Sequence, residues 1–390
     1  MNQQNTIKNK IRGSLIGGAV GDALGYPIEF MSEDEIFKKY GSNGIERYDL
    51  NNQYGLALIS DDTQMTLFTA NGLLFGNTRG CLRGIAAPYS SYIAMAYKDW
   101  YMTQTIGFKD KPSDARQYTA YMTWLCDVPE LFSRRAPGNT CLDALSDPSN
   151  IRRNDFINPP INNSKGCGGV MRVAPLSLIK WHNMASLITE AAQAAAVTHG
   201  HPLGYMTASV LCYIIHRIVF AEDYPIDLRK IILEAKEAVC DMFKDCEYTS
   251  ELEYIIDRAV ELSENDEADI DNIKCLGAGW VAEEALAIAV YCSLRYQNDF
   301  SSGIIAAVNH DGDSDSTGAI TGNILGALVG YDAIEEKWKQ NLELADVILE
   351  MADDLCYGCL MSEYSSYKDP AWENKYLFAE WNHSEVQRPF

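Results

Sequence analysis

The sequence predicts an all-α fold. Apolar residues recur at helical spacing along most of its length, runs that alternate apolar and polar residues are nearly absent, and no linker interrupts the pattern. The first helix carries Ile7, Ile11 and Leu15 at intervals of four. It runs into Gly17, Gly18 and Ala19, small residues that let another backbone come close. A second helix over 63–75 carries Met65, Phe68 and Leu73 and stops at Gly76. Residues 204–220 are apolar nearly all round, which marks a central buried helix. Further helices fit 90–103, 117–132, 183–197, 227–243, 251–262, 280–296 and 340–356. Between them, residues 136–166 are rich in Pro, Asn, Asp, Ser and Gly and read as a long loop, a kind of segment that often carries function. The stretch 263–272 (SENDEADIDN) reads as a solvated acidic surface loop. Residues 361–390 are aromatic and polar without a clear period and read as a tail packed over the bundle. With no dividing linker, one all-helical domain over 1–390 is the expectation, although the length exceeds the ~250–300 residues at which cores usually split.

Charge and cysteine usage narrow the function classes. The formal net charge is −22 and basic residues are scattered singly, so no basic stripe for nucleic acid is present. An anionic substrate would be repelled at long range unless a bound cation or aligned backbone amides offset the charge. Eleven cysteines, an odd number and widely spread, suit a reducing compartment better than a disulfide framework, and a cytoplasmic location is the expectation. Cys356 and Cys359 form one C-x-x-C pair with no second pair at zinc-ribbon spacing, and read as two cysteines on one helical face. The polar start MNQQNTIKNKIRGSL lacks the apolar region of a signal peptide, and no stretch is read as a membrane span.

Two segments concentrate short oxygen-bearing side chains directly before apolar helices. One is Ser60-Asp61-Asp62-Thr63. The other is Asp311-Gly312-Asp313-Ser314-Asp315-Ser316-Thr317. Helix capping accounts for one acid per helix start. It accounts poorly for three aspartates within five residues, because such carboxylates repel unless a cation neutralises them. Hard oxygen ligands match Mg²⁺, Mn²⁺ or Ca²⁺. The second segment is no EF-hand, since the closing glutamate is missing and Gly322 stands there. Glu29, between Ile28 and Phe30, reads as an exposed loop glutamate or as a carboxylate whose apolar neighbours raise its pKa. Gly166, Gly168 and Gly169 either form a plain turn or let a backbone close on a phosphate.

In this order, GSLIGGAVGDALGYPIEF, SDDTQMTL, GCGGVMRVAPL, THGHP, GAGWVAEEALA and NHDGDSDSTGAITGNILGA resemble the ADP-ribosylglycohydrolase family over roughly residues 10–355. That family includes dinitrogenase-reductase-activating glycohydrolases, eukaryotic ADP-ribosyl-hydrolases and J1 crystallins. The resemblance implies a compact multi-helix orthogonal bundle with two Mg²⁺ ions, for which Mn²⁺ could substitute. It implies metal ligands at Ser60, Asp61, Asp62, Asp313, Asp315 and Ser316. Serine stands at positions 60 and 316 where the family often has threonine. Glu29 matches the family's acid after the G-D-A-L-G turn. Gly166, Cys167, Gly168, Gly169 and Met171 would cradle a diphosphate, and His199 would lie near the sugar. The implied reaction is hydrolysis of the N- or O-glycosidic bond between ADP-ribose and a protein side chain, arginine favoured. Glu29, Asp61, Asp62 and Asp313 are the candidate proton-transfer groups. The implied partners are an ADP-ribosylated protein and ADP-ribose as product, with no membrane or nucleic acid. Two alternatives stay open here: a catalytically silent relative that binds ADP-ribose or a toxin or serves structurally, and an enzyme of the same fold acting on another acceptor. Residues 78–140 and 361–390 carry no family feature, so the acceptor is not fixed by the resemblance.

Overall fold

Glycines at every fourth position of the first helix decide how this chain packs. In the computed structural model, which describes residues 3–84, 87–112, 122–222 and 224–379, helix α1 spans Gln3–Gly25. Its glycines face a late helix, Ser314–Val329, at van der Waals limit. A Cβ on Gly17 would lie 2.2 Å from the Gly322 carbonyl oxygen, and one on Gly21 would lie 1.9 Å from that of Gly318. The reverse holds too, since a Cβ on Gly326 would meet the Gly13 carbonyl oxygen at 2.0 Å. Gly13–Gly326, Gly17–Gly322, Gly21–Gly318 and Gly25–Ser314 therefore form an antiparallel seam. It brings the C-terminus of α1 against the N-terminus of the late helix.

The remaining helices follow in chain order: α2 Glu33–Tyr40, α3 Asp61–Arg83, α4 Tyr89–Thr105, α5 Asn139–Ser146, α6 Met184–Ala196, α7 Pro202–Val219, α8 Leu228–Met242, α9 Thr249–Leu262, α10 Asp269–Lys274, α11 Ala282–Arg295, α12 Phe300–Val308, α13 Ser314–Val329, α14 Glu336–Lys339, α15 Ala345–Tyr357 and α16 Pro370–Leu377. Short 3₁₀ turns join several of them, and no β-strand occurs among the described residues apart from two isolated bridges. The all-α expectation holds. Helix α7 packs against α6, α8, α11 and α13. It buries Leu203, Met206, Val210, Leu211, Ile214, Ile215 and Ile218, each of which stabilises the fold by roughly 1.5–3 kcal/mol. The buried apolar side chains form one contiguous cluster.

Several local expectations are corrected. The helix expected over 117–132 is not formed over the described residues 122–132. Residues 117–121 lie outside the described residues, and 124–131 form two 3₁₀ turns because Pro129 has no N–H to continue a helix. The 136–166 loop contains α5, whose apolar face buries Cys141, Ala144 and Leu145. The acidic stretch 263–272 ends in α10, anchored by buried Asn272 and Ile273. The helix expected from 340 starts at Ala345, because Asn341 and Glu343 exchange backbone hydrogen bonds with Ala57 instead. The tail contains α16, which buries Trp372 and Tyr376, and the Trp372 indole N–H donates to Thr78 Oγ1 at 2.8 Å. Residues 380–390 of that tail lie outside the described residues. Cys356 lies in the last turn of α15, which ends at Tyr357, and Cys359 lies beyond it, so the two do not share a helical face. Helix α7 is long and apolar enough to cross a membrane by length and composition, contrary to expectation, but 89% of it is buried inside the fold. All eleven cysteines are free.

Candidate active site

The seam delivers the site. Where α1 ends, Gly25 touches Ser314, and the chain turns through the 3₁₀ residues Tyr26–Ile28 to Glu29. Its carboxylate meets those of Asp313 and Asp315, with one oxygen from each within 4.8 Å of the others. Glu29 is 7% exposed, so the exposed-loop alternative falls. Asp313 caps α13 by accepting the Ser316 N–H at 3.3 Å, and Asp315 accepts the same N–H at 2.9 Å.

The first acidic motif is held by a residue that the sequence reading left without a role. Asp22 lies on the buried face of α1 and is fully enclosed. It accepts the Ser60 N–H at 2.9 Å, the Thr63 N–H at 3.1 Å and a short bond from the Thr63 hydroxyl. Ser60 in turn caps α3, its Oγ accepting the Asp62 N–H at 3.1 Å. Asp22 thus ties α1 to the start of α3. A signal for it existed, since Asp22 falls seven residues after Leu15, on the apolar stripe where a charge is unexpected. Asp61 is oriented by its own N–H, which donates to the Arg135 carbonyl at 3.1 Å.

Electrostatics make this cluster unusual. Asp22, Glu29, Asp61, Asp62, Asp313 and Asp315 are all buried, and among the described residues none has a lysine or arginine ion-pair partner. Burial, opposed by the Thr63 and Ser60 hydrogen bonds, raises Asp22 to about 6. Burial, then repulsion by Asp313, Asp61 and Asp22, raises Glu29 to about 9. Asp61, Asp62 and Asp315 are pushed well above the ordinary carboxylate range by burial and then by neighbouring carboxylates, Asp22 and Asp313 acting on all three. Glu29 Oε2 and Asp62 Oδ2 are enclosed without a hydrogen-bond partner. Unpaired buried acceptors among like charges fit a divalent cation site, because a hard cation supplies the missing positive charge to hard oxygen donors. The residues present therefore suit the cations that the sequence reading expected.

The glycine-rich turn lies beside the acids and is stitched to them by the 277–280 loop. The Cys167 N–H donates to the Trp280 carbonyl at 3.2 Å, and Ala282 N–H donates to the Lys165 carbonyl at 2.8 Å. The same loop accepts the Asp313 N–H at Ala278 at 2.9 Å. Gly312 has φ +154°, and a Cβ there would meet the Ala278 carbonyl oxygen at 1.9 Å, so glycine is required at this crossing. The Cys167 thiol donates to Asp313 Oδ2 at 2.7 Å. Met171 lies below, with Ser316 Oγ 3.8 Å from its sulfur.

His199 packs behind this turn. A Cβ on Gly168 would lie 2.9 Å from His199 Cε1, and one on Gly166 would lie 3.3 Å from Nε2. The glycines are thus fitted to the imidazole, whatever ligand the turn also receives. Burial and then Arg172 depress His199 to about 3, which keeps it neutral. Thr198 Oγ1 bridges the two, 2.8 Å from His199 Nδ1 and 2.6 Å from Arg172 Nη2. Arg172, also unassigned by the sequence reading, is fully buried with its guanidinium 4.2 Å from the Tyr97 ring centroid.

Comparison with known proteins agrees with this architecture. A family model described as ADP-ribosylglycohydrolase matches residues 3–364. The ADP-ribosyl-[dinitrogen reductase] glycohydrolase of Rhodospirillum rubrum is 23% identical over 343 residues, covering 87% of this chain and 92% of that protein. Human ADP-ribosylhydrolase ARH3 is 28% identical over 201 residues, 46% of this chain; the match spans about half of that relative, 54%. A solved structure described as an ADP-ribosylglycohydrolase-related protein complex superposes with a TM-score of 0.58 at 23% identity, covering 90% of this chain and 99% of that one. That last likeness bears on the fold.

Proposed function

The chain belongs to the ADP-ribosylglycohydrolase family, and from that premise we propose that it is a divalent-cation-dependent hydrolase releasing ADP-ribose from a modified protein side chain, arginine favoured. The observation that carries this reading is the buried convergence of Glu29, Asp313 and Asp315 beside the Ser60–Asp62 helix start, with no lysine or arginine ion-pair partner among the described residues. A purely structural acid would not be enclosed among like charges with its oxygens unpaired.

Two Mg²⁺ ions, or Mn²⁺ in their place, would be held by Ser60, Asp61, Asp62, Asp313, Asp315 and Ser316. When bound, such ions orient sugar hydroxyls and a water and offset the anionic diphosphate. The protein's own groups do the rest. Asp22 fixes the start of α3 through the Ser60 and Thr63 amides, so Asp61 and Asp62 hold one geometry. The 277–280 loop and the Cys167 thiol fix Asp313. The Gly166–Gly169 turn and Met171 form a wall for the diphosphate. Neutral His199 supports that wall and adds no charge. Water adds at the anomeric carbon, the glycosidic bond breaks, and the acceptor side chain leaves with a proton. Asp61, Asp62 or Asp313 takes the proton of the attacking water. Glu29, whose burial and neighbours favour its protonated form, is suited to give a proton to the departing group.

Release of free ADP-ribose from arginine-, serine- and nucleic-acid-linked substrates tests the proposal. Metal-dependent release from arginine-linked peptide is the expected result. Release from serine-linked but not arginine-linked peptide would overturn the acceptor preference. No release from any of them would overturn the hydrolase reading.

A further inference from the structure

Two large aromatic rings stand exposed next to the acid cluster. Phe30 and Trp280 are stacked, with ring centroids 5.9 Å apart and planes inclined by 21°. They remain 73% and 43% exposed. The chain fixes where they stand. Phe30 directly follows Glu29, whose carboxylate meets Asp313 and Asp315. Trp280 belongs to the loop whose carbonyls hold the Cys167 and Asp313 amides. The pair therefore joins the first turn after α1 to the 277–280 loop across the rim of the site.

The surroundings of this pair are acidic. The Glu33 N–H donates to Asp311 Oδ1 at 2.7 Å, and Asp34 and Asp311 are exposed. Glu284 Oε2 accepts the Ala278 and Gly279 amides at 3.0 and 3.2 Å. Two lysines on the adjoining elements are engaged by acids: Lys274 pairs with Glu33 at 2.6 Å, and Lys165 pairs with Glu283 and Glu251. Aromatic faces bordered by acids are suited to a planar cation. A guanidinium stacks on an aromatic ring and is weakly hydrated, so it loses little on leaving water. In the hydrolase reading Glu29 gives its proton to the departing group, and Phe30 follows Glu29 directly, so the acceptor passes close to this rim.

Resting on the hydrolase reading above, we propose that Phe30 and Trp280 form the acceptor subsite and select a guanidinium-bearing side chain over a hydroxyl-bearing one. The rings receive the acceptor. The ADP-ribosyl part is held elsewhere, by the acids and the glycine turn.

The test compares wild type, Phe30→Ala, Trp280→Ala and Trp280→Phe in ADP-ribose release from arginine-linked and serine-linked peptides, together with calorimetric binding of free ADP-ribose. Both alanine variants should raise KM for the arginine-linked peptide and lower kcat/KM about tenfold. ADP-ribose affinity and any turnover of the serine-linked peptide should stay within about twofold. Trp280→Phe should restore most of the loss, because a ring remains. Equal losses on both peptides, unchanged kinetics, or a wild type that prefers serine would overturn the proposal. Weakened binding of free ADP-ribose would overturn it in favour of a platform for the adenine. A wild type that binds ADP-ribose but releases it from neither peptide would instead bring down the hydrolase reading, and this inference with it.

Discussion

The chain has two acid-rich segments of similar composition, and they behave in opposite ways. In 263–272, Glu264, Asp266, Glu267 and Asp271 are exposed, and the more enclosed Asp269 pairs with Arg295 at 3.1 Å and accepts from the Tyr291 and Tyr296 hydroxyls. In 311–317, Asp313 and Asp315 are each 3% exposed and, among the described residues, neither has a lysine or arginine ion-pair partner. Water and arginine neutralise the first segment. The second finds no such counter-charge among the described residues. Acid content is therefore a poor guide to function, and burial without a counter-charge is a better one.

The comparison is broken most severely by Asp315→Asn. Asparagine keeps the shape and can still accept the Ser316 N–H but removes a charged ligand, so activity should fall by about 100-fold or more. Wild type should gain stability from Mg²⁺ or Mn²⁺, about 2.7 kcal/mol at a hundredfold excess over Kd, and most of that gain should vanish in the variant. Thermal melts with and without Mg²⁺, alongside ADP-ribose release, read both effects. If Asp315 merely accepts the Ser316 N–H in the first turn of α13, neither will change.

A second perturbation acts on what buries the cluster. Gly21→Ala places a Cβ 1.9 Å from the Gly318 carbonyl oxygen, where backbone meets backbone and neither side can yield cheaply. The expected loss is about 3 kcal/mol, read by denaturant unfolding, with weakened Mg²⁺ binding as Glu29 and Asp315 separate. A variant as stable as wild type would show that the seam is not close-packed.

Without metal, pH should separate the two segments. The folded-state values of about 6 for Asp22 and about 9 for Glu29 exceed the ordinary 3.8 and 4.5, so the folded chain binds more protons than the unfolded one. The cluster's contribution is full below the ordinary values and is lost as pH rises towards about 9. In EDTA, Tm should therefore fall between pH 5 and pH 9, and Mg²⁺ should flatten that slope. A metal-free Tm that rises over this interval would contradict the electrostatic account.

The smallest effect belongs to the solvated segment. Asp271→Asn should change stability by no more than about 0.5 kcal/mol and leave the Mg²⁺ response intact, as melting curves would show.

Much of this was legible in the sequence. The paired acidic motifs and the small residues of α1 report local chemistry, and local chemistry survives folding. What stayed hidden depended on partners far along the chain. Asp22 finds its role only once α1 meets Ser60 and Thr63, and Arg172 only once Tyr97 and Thr198 enclose it. Phe30 and Trp280 stand 250 positions apart, and nothing local marks them as a pair. The helix expected over 117–132 failed for the converse reason. Trp124, Leu125 and Leu131 are buried as helical spacing suggests, but Pro129 lets 3₁₀ turns bury them instead.

Mn²⁺ binding followed by electron paramagnetic resonance tests most directly whether the buried acids form a binuclear cation site. Wild type should remove two Mn²⁺ per chain from the free-ion signal, with the bound pair showing mutual coupling. Asp315→Asn should lose at least one of them, and Asp271→Asn should keep both. A wild type that leaves the free Mn²⁺ signal unchanged, or an Asp315→Asn variant that binds as wild type does, would contradict the account.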